Sequence, residues 1–295
     1  ITQRAEVLMG LFYLLTLYCV IRGTHDVKGS PGWTAAAIAS CALGMGSKAV
    51  MITAPVMVLC YDRIFLSGSF REALERRKAL YSGLAATWII PVALFFNVAG
   101  VAEKGAGFGL KGITPVEYAN IQPEVIFHYL RLCFWPRGLS LDYDWPAPAA
   151  HAVVIPGLVV AGLIALTAWA LRRRPPWGFL GLWFFLILVP TSSIFPVADH
   201  AAEQRMYLPL AAVIALAVFG GDRLLRAFLP SHDAFRRSIA AVLVIALAVS
   251  LTALTIRRNE DYRSEFTLWS GVLAEQPGNA RAHCNMGSLL AEQGR

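Results

Sequence analysis

Asp199, His200, Glu203 and Arg205 stand within residues 190–210, PTSSIFPVADHAAEQRMYLPL, between two long apolar runs. Ionisable groups at a membrane boundary are costly, and four of them this close together mark a candidate functional site. Arg205 carries a planar, permanently charged fork that gives bidentate bonds, which suits it to phosphate. Glu203 can orient that guanidinium, or act as a base if desolvation raises its pKa. Pro196 and Pro209 keep the connection short and end it abruptly on both sides. The plainer alternative is a solvated loop in which an Arg–Glu pair fixes two helix ends.

Other residues offer related chemistry. In WPRGLSLDYDWP, residues 135–146, Asp142 and Asp144 lie two positions apart beside aromatic rings. Rings pack on sugar faces while carboxylates accept from hydroxyls, but a Pro- and Asp-rich turn explains the same residues equally well. Lys48, in GMGSKAVMITAP, sits among apolar residues. It either snorkels to an interface or contacts a phosphate. His128, Tyr129 and Arg131 are candidates to face the same cavity.

The elements that must position these groups are membrane helices. Of 295 residues, 57% are hydrophobic and 15% charged, and the mean hydropathy is +0.55, which defines an integral membrane protein. The net charge of +7 falls in short clusters beside apolar runs, so no nucleic acid is implied. Five cysteines without a CxxC pair indicate neither a disulfide framework nor a metal site. No Walker loop, GxSxG elbow, HExxH or GxGxxG is present, so nucleotide hydrolysis and the usual hydrolase and metalloprotease chemistries have no support.

Eight apolar runs can cross or nearly cross a hydrocarbon core. They lie near Val7–Ile21, Trp33–Gly46, Ala49–Tyr61, Leu80–Ala99, Val153–Leu171, Trp177–Phe195, Tyr207–Phe219 and Ile239–Ile256. The second and third are short enough to form a hairpin that does not fully span. Sorting Lys and Arg onto alternate faces gives a two-to-one excess on the side holding Arg22, Arg63 to Lys78, Arg172 to Arg174 and Arg223 to Arg237. That side is assigned to the cytoplasm, and residues 190–210 to the outside. FREALERRK, residues 70–78, is explained as a basic anchor on anionic lipid.

Residues 114–135 mix apolar positions with Glu117, Gln122, Glu124, His128 and Arg131. They fit an interfacial helix whose Tyr118, Tyr129 and Trp135 sit at headgroup level, the alternative being a ninth buried helix. Residues 258–295 change character and follow the 34-residue tetratricopeptide (TPR) pattern, with Pro277, His283, Met286 and Gly287 at its offsets. Gly287 is expected to let a paired helix approach, and Met286 and Leu290 to form a buried stripe. Because one repeat cannot bury its own face, further repeats are expected after Arg295.

The order of SKAVMITAPVMVLCYDRIF, YANIQPEVIFHYLRLCFWPRGLSLDYDWP and LVPTSSIFPVADHAAEQRMYLPLAA, followed by repeat chemistry, resembles the membrane-embedded GT-C glycosyltransferase-like proteins with C-terminal TPRs, and among them the transmembrane and tetratricopeptide-repeat (TMTC) family. The resemblance implies an all-α, polytopic membrane helix bundle over residues 1–257 and the start of an extracytoplasmic TPR array over 258–295. It further implies transfer of a sugar, mannose in eukaryotic members, from a polyprenyl- or dolichyl-phosphate carrier to a protein hydroxyl outside the cytoplasm. No bound cofactor is implied. Arg205 with its neighbours would lie by the lipid phosphate, and the repeats would hold the acceptor protein. GT-C enzymes carry their catalytic carboxylate in the first extracytoplasmic loop. The chain is expected to be a fragment that begins beyond it, inactive alone, with Glu203 the candidate catalytic residue that remains. The chain also departs from the family at Ala49, where Glu often follows the lysine. The contrasting expectation is a non-catalytic membrane scaffold presenting a protein-binding array.

Overall fold

Every regular element described in the computed structural model is helical, and the described residues are 4–25, 31–97, 114–143, 145, 150–197, 199–229 and 233–292. The helices are α1 (Arg4–His25), α2 (Pro31–Met45), α3 (Ala54–Asp62), α4 (Phe70–Arg76), α5 (Lys78–Ala86), α6 (Ile89–Asn97), α7 (Pro115–Phe134), α8 (Ala150–Arg173), α9 (Pro175–Leu188), α10 (Leu210–Phe228), α11 (Asp233–Asp261), α12 (Glu265–Glu275) and α13 (Ala280–Glu292). Two compact units are built from them. One comprises Ile1–Phe134 with Ala147–Val213, the other Trp135–Pro146 with Ile214–Arg295.

Four continuous helical stretches are long and apolar enough to cross a membrane: Arg4–Thr24, Ala49–Ser67, Val153–Arg173 and Asp233–Asp261. Shorter apolar stretches cover Lys78–Leu94 and Pro175–Leu188. On α11 Val242, Ile245 and Val249 are each more than 60% exposed, a surface that only lipid or a partner can cover. The protein is an all-α integral membrane bundle.

Three boundaries differ from those the apolar pattern suggested. The third run does not stop at Tyr61. A tight turn over Ala49–Thr53, α3 and a wide turn over Arg63–Ser67 follow one another without a break, so this stretch is no short hairpin arm. The chain continues past a charge because fully buried Asp62 is satisfied within the protein. Its carboxylate accepts from Arg77 Nη1 at 2.7 Å on both oxygens, from Ser67 Oγ at 2.7 Å and from Tyr81 OH at 2.5 Å. Arg77 of the basic stretch is therefore no simple lipid anchor.

The run Leu80–Ala99 breaks between α5 and α6. Pro91 has no N–H for the carbonyl four residues back, and Thr87 O instead takes Ile90 N at 3.1 Å in a tighter turn. Trp88 Nε1 then donates to Ile52 O at 3.0 Å. Helix α9 ends at Leu188 rather than Phe195. Val189 keeps helical geometry, but Pro190 has no N–H for the carbonyl four residues back, and Leu188 O takes Thr191 N at 3.1 Å and Ser192 N at 2.8 Å as the chain turns away.

Small residues set the closest helix approaches, as expected where lipid removes the hydrophobic drive between helices. A Cβ at Gly178 would lie 2.4 Å from the Leu171 backbone nitrogen, and one at Gly181 would lie 2.2 Å from Thr167 Oγ1. Backbone cannot swing aside as a side chain can. Gly178→Ala is therefore expected to destabilise the α8–α9 pair by about 1–3 kcal/mol, read as a lowered unfolding midpoint in detergent. An unchanged midpoint would show that the helices part freely here.

Side-chain caps start several helices. Ser69 accepts from Glu72 N before α4, Thr114 and Glu117 exchange bonds before α7, and Ser264 and Thr267 form a capping box before α12. Asn279 Oδ1 accepts from Ala282 N at 2.8 Å before α13. Helices α12 and α13 pack together through buried Val272, Asn279 and Ala282. Gly287 does not mediate this approach, since an added Cβ meets nothing within 4 Å, and Met286 and Leu290 are only half-buried. Five residues turn a helix by about 140°, so Ala282 facing α12 leaves Gly287 on another face.

Candidate functional site

Between α9 and α10 the chain forms no continuous helix, and prolines at 190, 196 and 209 interrupt it. Its backbone polar groups must find partners elsewhere, and Arg205 supplies a donor for three of its carbonyls. This residue sits in the single tight turn Glu203–Met206 and is only 8% exposed. Nη1 donates to Thr191 O at 2.8 Å, His200 O at 3.1 Å and Tyr118 OH at 3.3 Å, while Nη2 donates to Asp199 O. The guanidinium thus ties both ends of the loop to one point.

Helix α7 provides the platform. Tyr118 and Tyr129 are separated by eleven positions, three turns, so both hydroxyls project from nearly the same face. Tyr118 OH donates to Thr191 O at 2.7 Å, and Tyr129 OH accepts from Ala202 N at 2.7 Å. Both residues are fully buried, so their rings face protein rather than lipid. Their hydroxyls are held inside because loop carbonyls and amides need partners. Burial raises both phenols, so each stays protonated. Trp135, by contrast, is 59% exposed.

Further anchors fix the loop from α9 and α1. Trp183 Nε1 donates to Leu208 O at 2.9 Å, and a Cβ at Gly10 would lie 2.5 Å from the Tyr207 ring. Asp199 is exposed, His200 and Glu203 half-buried, and the His200 ring lies 6.1 Å from that of Tyr118. Arg205, His200 and Asp199 are accordingly brought together, with Glu203 two residues away in the same turn.

The remaining candidates are held apart from that cluster or engaged elsewhere. Lys48 forms an ion pair with Glu6 of α1, whose side chain is 5% exposed. Arg131 Nη2 meets His128 Nδ1 at 3.2 Å, on α7 but about 140° around the helix from Tyr118. Asp142 belongs to the second unit, where Arg281 of α13 approaches its carboxylate to 3.1 Å. There Arg258 also donates to Leu139 O at 2.9 Å, and Gly138 supplies the positive φ of +71° that its turn requires. Asp144 lies outside the described residues.

Glu6 and Thr191 were missed from the sequence. Glu6 gave a weak signal, a lone acid in the first turn of an apolar helix; Thr191 acts through its carbonyl, which no side-chain pattern reveals.

His128 is buried against α7's neighbours. Burial, aided by the Arg131 charge, pushes its imidazole down to about 4. Below the ordinary value near 6.5 the unfolded chain takes up a proton that the folded imidazole refuses. Stability is therefore full above that pH and falls as pH drops towards about 4, by up to about 1.4 kcal/mol per pH unit. A His128→Gln variant should show a flatter acid limb in thermal unfolding; an identical limb would assign the loss to another group.

The fold and this loop define an integral membrane helix bundle whose α9–α10 connection is organised by one buried arginine. Over the whole chain, in an alignment of 342 positions, it is 25% identical to protein O-mannosyl-transferase TMTC4 of Mus musculus, and over 343 positions 26% identical to the Homo sapiens protein of the same name. The chain spans 44% of the length of each. Protein O-mannosyl-transferase F38B6.6 of Caenorhabditis elegans is 34% identical over 169 residues, 56% of the chain and 22% of that protein. The likeness to the TMTC proteins read from the motifs is thus borne out. No family model matches the chain, and no solved structure matches it.

Proposed function

We propose that this chain is part of a glycosyltransferase that moves a sugar, mannose by analogy with its relatives, from a polyprenyl- or dolichyl-phosphate carrier to a protein hydroxyl on the extracytoplasmic face. The observation that carries this reading is whole-chain similarity to proteins named protein O-mannosyl-transferases. The arginine-centred loop and the Glu6–Lys48 pair supply basic groups in the same unit. A departing lipid phosphate needs such donors, since charge develops on its oxygens as the glycosidic bond breaks.

Arg205 acts here chiefly as a positioning residue. Three of its bonds go to loop carbonyls and one to the Tyr118 hydroxyl on α7, so most of its donor capacity is spent within the protein. What it holds in place is the half-buried turn carrying Glu203, with His200 and Asp199 beside it. Glu203 is the candidate base for the acceptor hydroxyl. The helices following α11 would present the acceptor protein.

A second reading, a membrane scaffold without catalysis, is favoured by the same engagement of Arg205 with backbone. The decisive experiment uses the full-length protein and a polyprenyl-phosphate mannose donor. Glu203→Gln is expected to lower kcat by about 10²-fold or more with little change in donor KM. Unchanged transfer would remove Glu203 from the site, and absence of transfer by the parent protein would favour the scaffold.

A further inference from the structure

A second polar site lies at the opposite end of α1 from the loop. Gly10 packs against Tyr207, whereas Gly23 borders a cavity of about 450 Å³; at 1.5 Å per residue the two glycines are about 20 Å apart along the helix. The cavity is enclosed by the last turn of α1, the first turn of α2 at Trp33 and Thr34, and the α4–α5 junction. Arg76, Arg77 and Lys78 line it consecutively, and among the described residues no carboxylate does. The Arg22 guanidinium lies 5.8 Å from the Trp33 ring, adding a fourth cation behind the wall.

Arg76 suits the negative end of α4, whose last turn it occupies, but the other two charges are unfavourable for the helix they open. Lys78 opens α5 and Arg77 precedes it, at the end where the helix dipole is already positive. The first turn of α2 brings a second positive end to the same cavity. Arg77 is also held in one orientation, because its Nη1 is bonded by Asp62 and Ser67, which leaves its Nη2 and Nε hydrogens outside that network. Arg76 has an exposed partner in Glu72 at 2.7 Å; Lys78 has none among the described residues.

We propose that this cavity binds a phosphate-bearing headgroup. Forked guanidinium donors, an ammonium and two converging helix N-termini match the geometry and charge of a phosphate. Trp33 suits the headgroup level of a bilayer, and the apolar stretches Arg4–Thr24 and Lys78–Leu94 both end here. A phospholipid can present the phosphate from the bilayer, and a soluble phosphate can enter from water.

The test uses the purified full chain in detergent, with dioctanoyl phosphatidate as the probe, dioctanoylglycerol as a phosphate-free control and inorganic phosphate as competitor. Phosphatidate should bind and dioctanoylglycerol should not. An Arg76→Gln, Lys78→Gln double variant should weaken binding by about tenfold or more with its thermal unfolding unchanged, as both side chains reach solvent. Competition by inorganic phosphate would assign recognition to the phosphate alone; its failure to compete would assign it to the phospholipid. Equal binding of dioctanoylglycerol, or a double variant that binds as well as the parent, would overturn the proposal.

Discussion

Arg205→Ala is expected to destabilise the protein by about 3 kcal/mol or more, because four acceptors lose one charge-assisted donor at once. The substitution strands the carbonyls of Thr191, His200 and Asp199 together with the Tyr118 hydroxyl, and each unsatisfied buried group carries a desolvation penalty of about 1–3 kcal/mol. These penalties are not additive, because a loop released from its tether turns some carbonyls to water. Arg205→Lys keeps the charge but not the fork. One ammonium cannot span acceptors at both ends of the loop, so it should recover less than half of the loss. Tyr118→Phe removes one partner, and its combination with Arg205→Ala should cost less than the sum of the two by about 1 kcal/mol, since the residues are in contact. Unfolding in detergent measures all four species, and hydrogen exchange over residues 190–210 localises the effect. A loss below about 1 kcal/mol for Arg205→Ala would mean that the loop is held by Trp183 and Tyr129 instead.

That result bears on how the site is to be tested. A drop in transfer by an Arg205 variant cannot distinguish a lost phosphate contact from a collapsed loop. Glu203→Gln leaves the Arg205 bonds in place and is the cleaner probe of chemistry. If Arg205→Lys loses transfer in proportion to loop exchange, positioning is the cause; if transfer falls while exchange is unchanged, Arg205 meets the substrate directly.

The helical class and the membrane setting were legible from apolar runs interrupted by charge. Partnership was not. Arg205 was paired in expectation with Glu203, two positions away, yet its acceptors are backbone oxygens and a tyrosine 87 positions distant. Composition carries no information about which carbonyls a proline-rich loop leaves open. Tyr118 and Tyr129 matched an interfacial pattern because a ring with one polar edge suits both a bilayer surface and a buried hydrogen bond. The helical stretch continues to Ser67, yet Asp62 follows the apolar run Ala49–Tyr61 as a charge that normally ends one. Its partners Arg77 and Tyr81 lie 15 and 19 positions away, beyond the reach of helical periodicity.

The Asp62 network is expected to show an asymmetry between its two charged members. Asp62 is fully buried, whereas the Arg77 side chain is 23% exposed. Removing Arg77 as Arg77→Met leaves a carboxylate with no route to water, and should cost about 3–5 kcal/mol. Removing the acid as Asp62→Leu leaves a guanidinium on a long stem that can turn towards solvent, so the loss should be smaller, about 2 kcal/mol or less. Asp62→Asn keeps an acceptor for Tyr81 and Ser67 and should fall below Asp62→Leu. The double variant Asp62→Leu, Arg77→Met should recover much of the Arg77→Met loss, because replacing both members of a buried pair by apolar groups removes the uncompensated charge. Unfolding of the four species in detergent completes the cycle. Equal costs for the two single removals would show that the carboxylate reaches water after all. Asp62→Leu alone would separate two roles of Arg77, since a chain that keeps the guanidinium but binds phosphatidate more weakly would show that Asp62 holds it at the cavity wall.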